Sequence, residues 1–475
     1  MRQWVDGLSR ERRLRALAAS SLAAYSPLAA AAGQAPALLG IPIDFILFGM
    51  TLLGVALLHR HTLYVALAGL GAIAGYKLFF TGFKTGTGVP GLLAHLAHEW
   101  VILANLACLL LGFALLSRQF EDSKVPAVLP KFLPGGWKGA FGLLAMVFVL
   151  SSFLDNIAAA LIGGAMAHTV FRGKVHIGYL AAIVAASNAG GSGSVVGDTT
   201  TTMMWIAGVS PLAVLHAYIA AAVALIVCGI PAALQQDKHS PIMKYEPGGA
   251  QVDWMRVGIF GFVLVTAISA NLYVNVLHAD ISERFPFIGA SVLLAILATA
   301  WLRKPEWGLL PEAAKGTVFL LALVTSASMM PVEKLPAASW QTAFSLGFIS
   351  AVFDNIPLTA LALKQGGYDW GMLAYTVGFG GSMIWFGSSA GVALSNMYPE
   401  ARNVGRWLYH GWHVTAAYVV GFFVLLAALG WQPTPKRDER PPAPPAASAP
   451  HHASAVAGPA RIAGSSPAAR TAVLS

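Results

Sequence analysis

Three aspartates each stand as the sole Asp, Glu, Lys or Arg in a long run of chain. Asp155 is alone between Lys138 and Arg172, Asp198 between Lys174 and Asp237, and Asp354 between Lys334 and Lys364. Neutral oxygen donors sit around them in the sequence. Asn156 and Asn355 follow two of the aspartates directly, and Asn188, Thr200 and Thr201 lie near the third. Hydroxyls at Ser151, Ser192, Ser350, Ser382, Ser388 and Ser389 add to the supply. Carboxylates mixed with neutral oxygens suit a hard cation, by extension from the oxygen preference of calcium and magnesium. Three carboxylates that meet would repel one another, and a shared proton or a bound cation relieves that. The sparse acidic charge favours Na⁺ or H⁺ over a divalent ion. The chemistry expected is reversible cation and proton binding, with no covalent catalysis, resident metal or cofactor.

Each of these residues also has a structural reading. Serine and threonine in membrane helices often bond back to the preceding turn, and aspartate favours helix N-caps. Against capping alone stands a repetition: Ser151-Ser-Phe-Leu-Asp-Asn-Ile157 matches Ser350-Ala-Val-Phe-Asp-Asn-Ile356. His95 and His98 are expected in a loop near the membrane interface, with Glu99 beside them as a proton entry point. His168 and His216 are expected to pack. Gly69 and Gly71 are expected to permit close helix contact, and Gly190, Gly191, Gly193 and Gly197 to let unwound backbone offer carbonyls. Cys108 and Cys228 lie in apolar runs with no metal or disulfide spacing.

The elements that must hold these groups are set by composition. Of 475 residues 56% are hydrophobic and 11% charged, against roughly 25% charged in soluble domains. Apolar blocks about twenty residues long, enough to cross a bilayer as helices, cover Ile41–Leu58, Leu63–Phe80, Val101–Leu116, Leu212–Leu234, Ile259–Val276, Phe287–Leu302 and Val414–Leu429. This excludes a soluble globular enzyme and a β-barrel. The net charge of +9 sits in short loops, where it orients spans rather than binding nucleic acid. Residues 1–36, with Arg10, Arg12, Arg13 and Arg15 before an alanine-rich stretch, read equally as a signal peptide or a weak first span. Residues 37–430 form the transporter domain, and 431–475 a disordered Pro/Ala-rich tail.

Two segments are too long and too polar to be plain spans: Gly139–Val170, with Asp155-Asn156 at its centre, and Ile177–Ile206, broken by Gly190-Gly-Ser-Gly-Ser-Val-Val-Gly-Asp198. Polar, helix-breaking sequence at membrane depth survives where it is buried or lines a cavity. The same pair of irregular segments recurs around Asp354 and Gly380–Ser388, giving repeats over about residues 100–235 and 308–430. If both Asp-Asn segments return to their starting side, one side gathers Arg60, Arg118, Lys124, Lys131, Lys138, Arg172, Lys174, Lys238, Lys244, Arg303, Lys304, Lys315, Arg402 and Arg406. The other keeps Lys84, Arg284, Lys334 and Lys364 among the loops. That distribution obeys the positive-inside rule, and the odd number of crossings between the repeats makes them inverted. The expected fold is an all-α polytopic membrane protein with inverted repeats, two re-entrant helical hairpins and two discontinuous transmembrane helices, the architecture of alternating-access carriers.

The run from Ser187 to Trp205 resembles the signature of NhaD-type sodium/proton antiporters. These belong to the ion transporter superfamily with citrate, dicarboxylate and arsenite carriers. Supporting matches are His98-Glu99, Phe153–Asn156, Met330–Pro336 and Val352–Pro357, and the likeness covers about residues 40–430. It implies a Na⁺(Li⁺)/H⁺ exchanger in the bacterial inner membrane. It also implies a homodimer with a scaffold and a moving transport domain. Asp155, Asn156, Asn188, Asp198, Thr200, Thr201, Asp354 and Asn355 match the polar positions that matter in such transport. The chain departs from the pattern at Gly193, Ser194, Val195 and Val196, where the antiporters usually carry an aromatic residue and a proline. The alternative is a citrate- or dicarboxylate-type carrier of the same superfamily, although anionic Asp-Asn tips would repel an anionic substrate that comes without cations. The topology is directly testable: cysteines in place of Lys131 and Arg172 should both be labelled from the cytoplasm. Labelling of the second from outside only would overturn the re-entrant arrangement.

Overall fold

Backbone polar groups in hydrocarbon must be satisfied within the chain, and here helices satisfy them almost throughout. The computed structural model describes residues 36–58, 61–194, 196–242, 251–278, 281 and 284–434. The expected leader and tail lie almost wholly outside these residues, as do Arg60, Val195 and Lys244. Six helical stretches among the described residues are long and apolar enough to cross a membrane: Thr62–Thr81, Gly88–Asp122, Pro211–His239, Trp254–Asn275, Trp307–Ser328 and Trp412–Leu429.

The first part of the chain forms α1 (Ile43–Leu57), α2 (Thr62–Tyr76, prolonged by a π turn at Lys77–Thr81) and α3 (Gly88–Asp122). Helices α4 (Trp137–Ser151), α5 (Asn156–Val170), α6 (Ile177–Ser192), α7 (Thr199–Ile206) and α8 (Ala217–His239) follow. Then come α9 (Trp254–Leu272), α10 (Phe287–Thr299) and α11 (Leu310–Ser328). The last group is α12 (Trp340–Ser350), α13 (Asn355–Gln365), α14 (Trp370–Gly380), α15 (Ser389–Met397), α16 (Val404–His410) and α17 (Trp412–Leu429). Two packing groups result. Helix α3 packs on α9, α10 and α11, while α2 packs on α1 and α11. Separately, α6 and α8 form the centre of a second group with α4, α14 and α17. The groups meet where α11 packs on α13 and α3 on α7.

Both long polar segments break where their sequences are irregular. The α4–α5 break covers Ser152–Asp155, and the α6–α7 break Gly193–Asp198. The later segments break at the corresponding places, Ala351–Asp354 and Gly381–Ser388. Backbone angles repeat with them. Asp155 and Asp354 both have φ −53° and ψ 140°, while Asp198 and Ser388 have φ/ψ of −145°/141° and −140°/152°. Close approach fixes the crossing points: a Cβ on Gly197 would collide with the Ser151 carbonyl, and one on Gly387 would crowd the Ala351 carbonyl.

Several expectations are corrected. The span expected at Val101–Leu116 is the middle of a 35-residue helix, about 50 Å long. His95 and His98 are therefore helical residues of α3, not loop residues, and His95 is buried with its Nε2 2.9 Å from the Ser328 hydroxyl. His168 is exposed rather than packed inside. Gly190 and Gly191 belong to helix α6; a Cβ on Gly190 would collide with the Phe148 carbonyl, so this glycine serves packing and does not unwind the backbone. Gly69 does face Thr51 closely, whereas Gly71 faces open space.

The α6 start carries a titratable cap. His176 Nδ1 accepts the Gly178 amide at 3.2 Å, and the ring lies 4.9 Å from His410 and 5.4 Å from His239 between centroids. Burial, then His410 and His239, push its pKa down to about 4. The folded state thus favours the neutral ring, and the helix N-terminus also disfavours a cation there. The stabilisation is complete above the unfolded pKa of about 6.5 and fades as pH falls toward 4. Detergent-solubilised protein should lose thermal stability between pH 7 and pH 5, and His176→Asn, which keeps a capping oxygen, should flatten that dependence in melting curves.

Candidate functional site

Each break delivers a helix N-terminus to the same region, and each N-terminus is capped by one of the residues singled out in the sequence. Asp155 Oδ2 accepts the Ile157 amide at 3.1 Å, and Asp354 Oδ1 the Ile356 amide at 3.0 Å. Asp198 Oδ1 accepts both the amide and the hydroxyl of Thr200, each at 2.8 Å, and the Ser388 hydroxyl accepts the Gly391 amide at 3.2 Å. All three aspartates therefore do act as N-caps, the structural role foreseen for two of them. Each cap uses one carboxylate oxygen, and the second oxygen of Asp198 and Asp354 is used elsewhere.

That second use links the two halves of the chain. Asn156 Nδ2 donates to Asp198 Oδ2 at 2.9 Å and to Asn188 Oδ1 at 3.0 Å. Asn188 Nδ2 in turn donates to the hydroxyls of Ser382 and Ser388, at 2.9 and 3.1 Å. Ser389 donates to Asp354 Oδ2 at 3.0 Å. The cluster is deep: Asp198 is 2% exposed and Asn188 0%. A cavity of about 380 Å³ reaches it, lined by Asp155, Asn156, Asp198, Asn355 and Ser389. A second cavity of about 240 Å³ reaches Asp354 and the other side of Ser389.

Other sequence candidates separate into those at the cluster and those spent on local structure. Thr200 is at the cluster through Asp198. Thr201 donates to the Asp198 carbonyl at 2.9 Å, Ser192 to the Ala189 carbonyl at 2.8 Å and Ser350 to the Val377 carbonyl at 2.7 Å, each a backbone-satisfying bond. Ser151 is fully buried with an unpartnered hydroxyl. Glu99 is not part of the cluster. Its Oε1 lies 2.5 Å from Lys364 Nζ, nine residues or about 14 Å along α13 from Asn355.

Sequence reading missed a second internal ion pair, Asp44 with Lys77 at 3.3 Å, both nearly inaccessible. Its signal was present: one acid and one base inside adjacent apolar blocks joined by a short loop. It also missed the cavity's outer end, where Glu121 and Glu312 line the wall.

No family model matches the chain. It is 27% identical over 294 residues to sodium/proton antiporter 1 of Arabidopsis thaliana, a match covering 53% of this chain and 49% of that protein. It is 26% identical over 359 residues to the Na(+)/H(+) antiporter NhaD of Vibrio parahaemolyticus, covering 63% of this chain and 84% of that one. A 27% match over 339 residues to the NhaD antiporter of Alkalimonas amylolytica covers 60% and 67%. The chain thus spans about half the length of the plant relative and more of the bacterial ones. With its membrane-length apolar helices, the chain is similar, at 26–27% identity, to proteins named sodium/proton antiporters from a plant and from bacteria.

Proposed function

We propose that the chain is a Na⁺(Li⁺)/H⁺ antiporter that works by alternating access, with Asp198 as the centre of its cation site. The observation that carries this reading is the Asp198 carboxylate, buried at the wall of a cavity and shared among Asn156, Asn188 and Thr200. An intramembrane aspartate costs about 2.5–3.5 kcal/mol on insertion scales. Among the described residues no Lys or Arg forms an ion pair with Asp155, Asp198 or Asp354. The charge therefore has to be met by a proton or by a cation, and a site that accepts either but not both exchanges one for the other.

In this reading α4–α5 and α12–α13 are re-entrant hairpins, and α6–α7 and α14–α15 are discontinuous transmembrane helices. The repeated backbone angles at the four breaks support that correspondence, and the loop charges support inverted orientation. Asn188 reaches across to Ser382 and Ser388, so the cation cage draws on both repeats. Asp155, Asn355 and Ser389 stand along the approach, with Asp354 held by Ser389. The group around α6 and α8 moves against the group around α3 and α11, and the protein is a homodimer in the bacterial inner membrane. The citrate- or dicarboxylate-carrier reading is not favoured: the relatives found are named antiporters, and carboxylates line the cavity where an anion would have to sit.

Everted vesicles with an imposed pH gradient and a quenched acridine dye test the proposal. Na⁺ or Li⁺ should dissipate the gradient, and K⁺ or citrate should not. Asp198→Asn should reduce the response at least 100-fold, because it removes the exchangeable charge while an amide can still cap α7. Asp155→Asn and Asp354→Asn should also abolish exchange with normal insertion. If both of these exchange normally, the two tips are caps only and Asp198 alone remains. Sodium-dependent citrate uptake without proton movement would instead move the protein to the rival class.

A further inference from the structure

The cavity is one-sided. On α3 it is lined by Leu106, Leu109, Leu110, Phe113, Ser117 and Glu121, a helical stripe running from mid-membrane to one end. On α11 it is lined by Glu312, Ala313, Gly316 and Thr317, the end that lies beside the same exit. The opposite halves of both helices are tied by side-chain contacts. There His95 of α3 meets Ser328 of α11, and Glu99 of α3 grips Lys364 in the last turn of α13. Glu99 and Glu121 are 22 residues apart on one helix, about 33 Å, which is close to the thickness of a hydrocarbon core. Loop charge places Lys364 on the less basic, extracytoplasmic side.

Two more features mark the Glu99–Lys364 contact as a clasp rather than as surface decoration. It joins α3 of the first packing group to α13, which packs on α7 and α14 as well as on α11. It is also shielded, with the side chains 10% and 22% exposed, so removal of one partner strands the other in a poorly hydrated place. Nearby, Gln365 Nε2 donates to the Pro336 carbonyl at 2.7 Å, and Lys84 pairs with Glu333. These lie on the loops beyond the clasp and close the same face.

We propose that Glu99 and Lys364 are the extracytoplasmic latch of the transport cycle: their ion pair holds α13 against α3 while the cavity is open to the cytoplasm, and it must part for the opposite side to open. This rests on the alternating-access reading above. Glu99 is then neither a cation ligand nor a stop on the proton path. It positions α13, and Lys364 is its partner. The latch is balanced by design: in the released state both groups meet water and each is separately hydrated, so the pair biases the equilibrium without locking it.

Cysteine accessibility tests the latch without relying on transport. In a background with Cys108 and Cys228 replaced by alanine, one reporter is Ser328→Cys on the closed side and the other Ala313→Cys on the cavity wall. An impermeant maleimide is applied to right-side-out vesicles for the first and to everted vesicles for the second. Glu99→Gln and Lys364→Met should each raise labelling of Ser328→Cys about tenfold and lower that of Ala313→Cys, as a population shift requires. The exchanged pair, Glu99→Lys with Lys364→Glu, should return both rates toward the parent values. The proposal is overturned if neither single change moves the reporters, if the exchanged pair behaves like the single changes, or if labelling rises on both sides, which signals loosened packing. Parallel dye measurements separate the two claims: a parent protein that does not exchange Na⁺ for H⁺ defeats the antiporter reading, whereas the labelling pattern judges the latch.

Discussion

The bond from the Asn156 amide to the Asp198 carboxylate is the interaction on which the rest of the structure depends. It spans two chain breaks that would be intolerable in hydrocarbon if their polar groups were left unmatched. Asn156 opens α5 and Asp198 caps α7, so one hydrogen bond ties the tip of one broken segment to the break of the next. Asn188 continues the tie to Ser382 and Ser388 in the later half. Four helix ends are thereby held around a single point. The positive ends of α5, α7, α13 and α15 all point toward the aspartates or serine that cap them, which lowers the penalty of burying negative charge there. The glycines make this geometry sterically possible: Gly197 and Gly387 allow each break to cross the carbonyl end of the preceding helix without collision.

The helical, membrane-length character of the fold and the places of its breaks were legible in the sequence because the membrane imposes a coarse code. Apolar blocks, solitary acids and glycine runs each stand out against a background in which they are disfavoured, and the repetition of Asp-Asn at residues 155 and 354 places the breaks to within a residue or two. What was not legible depended on pairings between distant elements. Nothing local tells that Glu99 will meet Lys364, 265 positions away, or that Asp44 will meet Lys77 across a helix turn-back. Helix extent was misjudged for a related reason. Residues 88–100 contain two histidines, a glutamate and a proline, which read as interface, yet α11 supplies Ser328 to His95 and the helix continues. Hydroxyl direction was not legible either. Ser192, Thr201 and Ser350 have the right chemistry, but each is oriented to a backbone carbonyl, and side-chain direction on a helix is not written in residue type.

The loop that ends at Gly197 shows how one hydroxyl organises a break. Ser194 donates to the Ser152 carbonyl at 2.7 Å and accepts the amides of Val196 and Gly197 at 3.2 and 3.1 Å. A proline would restrict this backbone covalently; here one side chain does so through three hydrogen bonds, and it also fastens the loop to the neighbouring break at Ser152. The residue that follows the loop is Asp198, so the loop sets where the main chain enters α7 and where that carboxylate lies.

The two halves of the chain are alike in backbone at the four breaks and unlike in charge. Asp155 and Asp354 occupy equivalent caps, but Asp198 is matched by Ser388, a neutral hydroxyl. A symmetric pair of carboxylates at the centre would place two like charges within one hydrogen-bonded cluster, and both could not be ionised together at neutral pH. Replacing one by serine leaves a single exchangeable charge at the centre, bridged through Asn188 to an uncharged donor. The outer pair then stands one on each side of it: Asp155 on the wall of the larger cavity, Asp354 on the wall of the smaller, bound to Ser389, which faces both. With serine at 388, the cluster around Asn188 holds one carboxylate, so the two halves do not set equal and mutually repelling centres beside each other.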